Sequence, residues 1–456
     1  METPDLMKRQ PRPQWRRRLP LKSAVLAIAG LVAVAIWLGL NTSGCDPCAS
    51  CSTSHTATAF PTSTATAAPN ACLPSSSTGV LVQGTNVTAY VPQGNWESGV
   101  TGVNVVPIET SAGVGAAEPD ALPPPTLIAT TDAVNSCSSN SDTGETVCVT
   151  NGTDAYLISG TTLNTTVSDA ADGTEGFSGG DCNTCGVVVD SSTKLALLTI
   201  GTSTGGPGAF QFLNLGVDPP VFETPIPAGA FTSEDVSIDP VRKLVLSPNE
   251  QGNYQLLDTA GAESVLYNNA VTDSPFFDSA AEDCTTGIAL STVEGTGDVY
   301  IADLKQATFK TGTPNTWTAP AQLQNIPDFE GFAAGTDGIA VAPGTHLGVV
   351  TGEFGGNLEG VIQLPSTSGT GTPAITDWAA FTVPAVPGGD EWSQGFDPHT
   401  VTAYVSPNNK KAYAVLGNGD NTFLAIVDLQ GMLSAPRTGH VVNEPLPAGL
   451  VTFVAE

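Results

Sequence analysis

The stretch "TGIALSTVEGTGDVYIADL", residues 286–304, holds two short apolar runs separated by a glycine-rich turn. Similar pairs recur along the chain: "GVVVDSSTKLALLTI" at 186–200, "DVSIDPVRKLVLS" at 235–247, "GIAVAPGTHLGVVT" at 338–351 and "TAYVSPNNKKAYAV" at 402–415. Weaker copies are "GVLVQGTNVTAYV" at 79–91 and "TVCVTNGTDAYLI" at 146–158. Taking Val82, Val149, Val189, Ile238, Leu290, Val341 and Val405 as anchors, the spacings are 67, 40, 49, 52, 51 and 64 residues. A self-similar unit of about fifty residues is the size of a four-stranded sheet with loops, repeated around an axis. The stretch at 286–304 is then the fifth of seven copies.

The apolar runs fit that reading. "VVVD", "LALLTI" and "DVYIAD" lack polar alternation, as strands covered on both faces do. A third apolar run often follows each pair, as in "AFQFLNLG" at 209–216 and "TFLAIVDLQG" at 422–431. Gly186, Gly287, Gly338, Ala289 and Ala340 are expected where innermost strands crowd together. The fold class predicted is all-β, a seven-bladed β-propeller over 79–456, with six or eight blades or a β-sandwich pair as the alternatives. The repeats resemble the NHL, YVTN and gluconolactonase-like repeats of β-propellers, with "GIAL…GDVYIADL" the nearest match and "VSPNNKKAYAV" a looser one.

Upstream lies a different kind of sequence. Seven of the 15 basic residues fall within the first 22, so residues 1–23 form a basic, cytoplasmic region. Residues 24–40, "AVLAIAGLVAVAIWLGL", are an uncharged apolar run expected to form a hydrophobic helix, as a signal or a membrane anchor. The basic flank stays inside, so everything after residue 41 is exported. "SGC" at 43–45 resembles the end of a bacterial lipobox, with Thr42 where that family has Leu, which makes Cys45 a lipidation candidate. Arg17-Arg18 resembles a twin-arginine signal, with Pro20 in place of the usual aromatic. Lipid anchor, retained helix and plain cleavage all stay open, and each places the chain at the bacterial cell envelope, periplasmic or extracellular. Residues 41–78 form a Cys- and Ser/Thr/Pro-rich tether too poor in apolar surface to order itself.

The chain carries a net charge of −29, and residues 23–456 hold 42 acidic against eight basic side chains. Such a surface repels nucleic acid and anionic lipid, so membrane contact is expected through the N-terminal anchor alone. It favours cations or basic partners, and it keeps the protein soluble. Of nine cysteines, Cys137 and Cys148 bracket a polar segment suited to a disulfide, and Cys182 with Cys185 in "DCNTCG" suits a tight one.

There is no G-x-S-x-G elbow, phosphate loop or H-E-x-x-H: the bare G-x-S-x-G spacing occurs in "GFSGG" at 176–180 and "GTSTG" at 201–205, but neither sits between a strand and a helix pattern. The segments expected just ahead of the innermost strands supply Asp181, Glu234, Asp235, Glu282, Asp283, Asp337, Asp397 and His399. Carboxylates gathered from several blades would bind a hard cation such as Ca²⁺. The gluconolactonase resemblance implies one acidic or amide ligand from each of several blades, for which Glu234, Asp337, Asp283 and Asp181 are the candidates; only Glu234 and Asp337 share a repeat position. The competing reading is that these acids cap turns and strand ends. His399 in "FDPHTVTAYVSP" resembles the "PHG" that opens YVTN blades, a channel-mouth candidate. A second acidic loop, with Asp169, Asp172, Glu175 and Asp181, lacks EF-hand spacing. Two functions follow: a binding or scaffold propeller for a protein or glycan partner, or a Ca-dependent lactonase-type hydrolase with its site at the central channel.

Overall fold

The computed structural model describes residues 79–455, excluding 94–100, 112, 115–124, 173–183, 202–207, 229–231, 233–235, 250–252, 260–263, 271–275, 295–296, 307–320, 326–335, 353–357, 367–374, 376, 383–400, 418–422, 435–443 and 446–450. The basic region, the 24–40 helix, Cys45 and the tether therefore lie outside the described residues.

Seven separate sheets of four or five strands follow one another along the chain. The first strand of each sheet is numbered here: β1 Gly79–Gln83, β2 Val134–Asn140, β3 Thr184–Asp190, β4 Ser237–Asp239, β5 Phe276–Asp283, β6 Thr336–Ala342 and β7 Val401–Val405. Each sheet is built outward from its first strand by antiparallel hairpins. Among the described strands only the seventh sheet departs from this: its third strand, Phe423–Asp428, pairs in parallel with Val451–Ala455. First strands touch first strands of neighbouring sheets all the way round, including β7 against β1. That closes a ring and makes β1–β7 the innermost strands.

The packing shows why the pattern forms this ring. Seven buried clusters fill the seven seams, one between each consecutive pair of sheets. The closing seam packs Val80, Val87, Val91 and Ile108 of the first sheet against Tyr404, Tyr413, Leu424 and Ile426 of the seventh. Each fully buried Val, Leu or Ile contributes about 1.5–3 kcal/mol relative to exposure, so a sheet missing a neighbour loses much of its stability. Burial fades outward: Thr184–Asp190 and Thr336–Ala342 are buried throughout, whereas the outer strand Thr162–Val167 alternates between exposed and half-buried. Apolar runs without alternation thus mark inner strands, covered on both faces by neighbouring sheets.

The repeat has a second signature, in the turn after the inner strand. It reads "NSDTG" at 140–144, "DSSTK" at 190–194, "DPVRK" at 239–243, "DCTTG" at 283–287, "APGTH" at 342–346 and "SPNNK" at 406–410. In five of the six the first side chain accepts from backbone N–H groups two or three residues on: Asn140, Asp190, Asp239, Asp283 and Ser406. The fifth position always lies in the left-handed region, with φ between 57° and 74° at Gly144, Lys194, Lys243, Gly287, His346 and Lys410. Short polar residues that tie down their own backbone suit the first position, and a left-handed residue turns the chain into the second strand.

Two anchors are corrected by this register. Val149 lies on the second strand of its sheet, Glu145–Thr150, and Leu290 on Ile288–Glu294, so the quoted stretch 286–304 is the second and third strands of the fifth sheet. Its inner strand is β5, "FFDSAAED", which carries two adjacent acids and so escaped an apolar template. Gly186, Gly338 and Ala340 do lie on inner strands, but Gly287 sits in a turn and Ala289 on a second strand.

Candidate functional site

The inner strands have a leading end, where the chain enters each sheet, and a hairpin end, where it turns into the second strand. Both ends carry acids, in different settings.

At the leading end, β2, β3, β5 and β6 each contain a register shift that bulges one or two residues out of the ladder. Bulges re-aim side chains and are frequent beside functional sites. The bulged residues are Asn135, Cys185-Gly186, Asp278-Ser279 and Asp337-Gly338. A threonine from the second strand holds three of them. Thr199 Oγ1 accepts from Gly186 N at 2.8 Å, Thr292 Oγ1 accepts from Ser279 N at 3.1 Å, and Thr351 Oγ1 donates to Gly338 O at 3.0 Å. Thr292 also donates to the Asp337 carbonyl, which ties the fifth sheet to the sixth. Beside Asp337 lies Glu359, on the third strand Leu358–Gln363 of the same sheet, with no accessible surface. Burial pushes its carboxyl well above the usual range, and the charge of Asp337 adds to the rise.

At the hairpin end the acids meet cations. Arg242 Nη1 donates to Asp239 Oδ2 at 2.5 Å and reaches across the seam to the Cys284 carbonyl at 2.8 Å. Burial raises Asp239 above its ordinary value, and Arg242 only partly opposes this. Lys243 Nζ stands 3.6 Å from Asp190 of the neighbouring sheet. Asp283 accepts from Thr285 Oγ1 at 2.5 Å and Thr286 Oγ1 at 2.8 Å, and its Oδ2 is 2.6 Å from His346 Nδ1 of the sixth sheet. Burial alone would raise Asp283, but the hydrogen bonds from His346 and the two threonines bring it below its usual value. The same hydrogen bond raises His346. Glu282 points to the other seam, fully buried, and burial followed by the charge of Asp239 pushes it well up. Burial and the nearby Arg242 lower Lys305. The first and seventh sheets are joined in the same manner: Ser406 Oγ donates to Glu109 Oε1 at 2.5 Å, and Asn408 Nδ2 reaches Glu109, Thr85 O and Thr110 O.

Of the expected cation ligands, Asp283 and Asp337 are described, and they do not converge. Asp337 leads β6, and Thr292 joins its carbonyl to Ser279; Asp283 ends β5, four residues beyond Ser279, roughly 13 Å along the strand. Glu282 and Asp283 therefore do not precede the inner strand, as the sequence reading had it; they finish it. Glu234, Asp235, Asp181, Asp397, His399 and Cys182 lie outside the described residues, as does Glu175 of the second acidic loop. Among the described residues, no three His, Cys, Asp or Glu side chains are grouped to hold a metal ion. His346, Arg242 and Glu359 were missed. His346 takes the left-handed turn position that Lys or Gly fills elsewhere, and Glu359 is a lone charge inside an apolar strand, "LEGVIQ". Cys137 and Cys148, directly opposed on adjacent strands with Cα atoms 4.1 Å apart, form a disulfide. Cys185 and Cys284 are each engaged in a disulfide as well.

No protein-family profile matches the chain. No curated protein matches it by sequence. Among solved structures, hydrazine synthase of Kuenenia stuttgartiensis is similar over 78% of this chain and 96% of that one, with a TM-score of 0.51 and 11% identity. At that identity the likeness speaks for the fold alone. With the closed ring of seven sheets, it defines the class: this is a β-propeller protein. Because 1203 solved chains match in shape, the class carries no single activity with it.

Proposed function

We propose that this chain is an exported, envelope-anchored propeller that presents its loop faces to a protein or glycan partner. The observation that carries this reading is the employment of Asp283. Both of its carboxylate oxygens are taken by Thr285, Thr286 and His346, so the acid serves a seam of the ring. The recurrence of the turn in six sheets supports reading it as a structural device of the repeat. The ring then acts as a rigid frame, and recognition falls to the connections between sheets, where binding residues concentrate on scaffolds of this kind.

A second reading, a Ca-dependent lactonase-type hydrolase, draws on the leading end, where Glu359 lies buried beside Asp337. Calorimetric titration of the full chain with Ca²⁺, run beside a panel of lactones and esters, separates the two. The binding reading expects no metal-dependent turnover and the same melting temperature in chelator. Turnover that requires Ca²⁺ would replace it with the hydrolase. Binding of purified envelope glycans or of a defined envelope protein, measured on the immobilised full chain, supplies the positive arm. Failure of both ligand classes would count against a binding module.

A further inference from the structure

The end of β5 faces two seams at once. Glu282 points toward the fourth sheet, where Ser237, Asp239 and Arg242 lie, and Asp283 points toward His346 of the sixth. Asp303 and Lys305, from the end of the third strand of the fifth sheet, complete the charged surroundings. Arg242 already donates to Asp239 and to the Cys284 carbonyl, and the Ser237 hydroxyl falls short of hydrogen-bond geometry with Glu282. A buried carboxyl so placed, with two other acids nearby, fits the seam in its neutral form. On the opposite face the 2.6 Å contact between Asp283 and His346 is strongest when the imidazole is charged.

We propose that the hairpin end of β5 is a pH-sensitive seam of the ring, closed in mildly acidic solution and loosened as the pH rises. The signs agree. Glu282 and Asp239 are raised in the fold, so above their ordinary values the folded chain holds protons that the unfolded chain has released, and stability falls with pH. His346 is raised above its ordinary 6.5, so its contribution is complete below that value and is lost as the pH climbs through the raised one. Asp283 is lowered, so its contribution is present above 3.8 and fades only as the pH falls through the lowered value. Three groups therefore favour acid and one sets the acidic limit. The general self-repulsion of an acidic protein acts on every sheet, so the Asp190–Lys194 turn of the third sheet serves as an internal control.

The test is amide exchange and thermal melting of the full chain between pH 4 and 9, with Glu282→Gln and His346→Asn beside the parent. Asn retains the left-handed turn position and removes the titration. The expected result is early loss of protection at residues 283–288 as the pH rises, and a fall in melting temperature of at least about 3 °C between pH 5.5 and 8.5. Each variant should flatten that slope, and the pair together should remove most of it. Slopes equal to the parent's would overturn the proposal. So would amides at 283–288 no more pH-sensitive than those at 190–194, a comparison within the parent that stands even if a variant fails to fold.

Discussion

The two ends of the inner strands use the same chemistry to different ends. At the hairpin end, Asp190, Asp239 and Asp283 each hold their own turn, and each meets a cationic side chain: Lys243, Arg242 and His346. Two of these cations come from the next sheet, so the polar contacts cross the seams. At the leading end the seams are joined by threonine hydroxyls on bulged backbone, and the buried Glu359 lies beside Asp337. Asp283, which accepts from its own turn and from His346, is worth most when ionised, whereas burial raises Asp239 despite Arg242. A carboxyl buried beside another acid is tolerated by staying protonated. The acidic composition thus divides into a stabilising set and a set that the fold merely accommodates.

The sharpest break of this comparison is Asp283→Ala. It deprives Thr285, Thr286 and His346 of their shared acceptor and leaves a partly buried imidazole without its counter-charge. Removing one member of such a network costs about 3 kcal/mol. Urea unfolding should show a lower midpoint at unchanged slope, with the His346 titration returning toward that of a free imidazole. A loss below about 1 kcal/mol would mean that the hairpin-end acids do not hold the seams.

Next in size is Thr292→Val at the leading end. The hydroxyl is buried, accepts from Ser279 N and donates to the Asp337 carbonyl. An isosteric methyl leaves both backbone groups without that partner, at about 1–3 kcal/mol. Faster amide exchange should appear at Ser279 and spread into β6, since the same residue joins both sheets. Exchange confined to the fifth sheet would show that the two bulges are independent.

How legible all this was from residues differs between the ends. The ring was readable because apolar runs without alternation recur at fifty-residue spacing, a pattern that strands buried on both faces impose. Its phase was not, in two of seven sheets. β2, "VNSCSSN", and β5, "FFDSAAED", are rich in polar side chains that bond across seams, such as Ser136 and Ser138 to Val187 and Val189. An apolar template passes over them and settles on the second strand. The hairpin-end contacts were half readable: the Asp-led turns mark the acids, but the partner across a seam sits some fifty to sixty residues away. His346 could be found only by aligning the turns with one another. Glu359 was visible as a charge within an apolar run, yet its pairing with Asp337 depends on how the third strand folds over the first.

The smallest expected effect tests the accommodated set. If Glu359 is already protonated in the fold, Glu359→Gln exchanges one neutral group for another of nearly the same shape. Stability at neutral pH should stay within about 1 kcal/mol of the parent, or rise, because the variant no longer has a proton to take up on folding. The difference should grow with pH, since above its ordinary 4.5 the parent folds only by recapturing that proton. Unfolding curves for parent and variant at pH 5 and pH 8 measure this directly. A variant that is destabilised equally at both would mean that the carboxyl is ionised and bound to something that Gln cannot satisfy. In that case the leading end, rather than the hairpin end, would be the place to look for a cation.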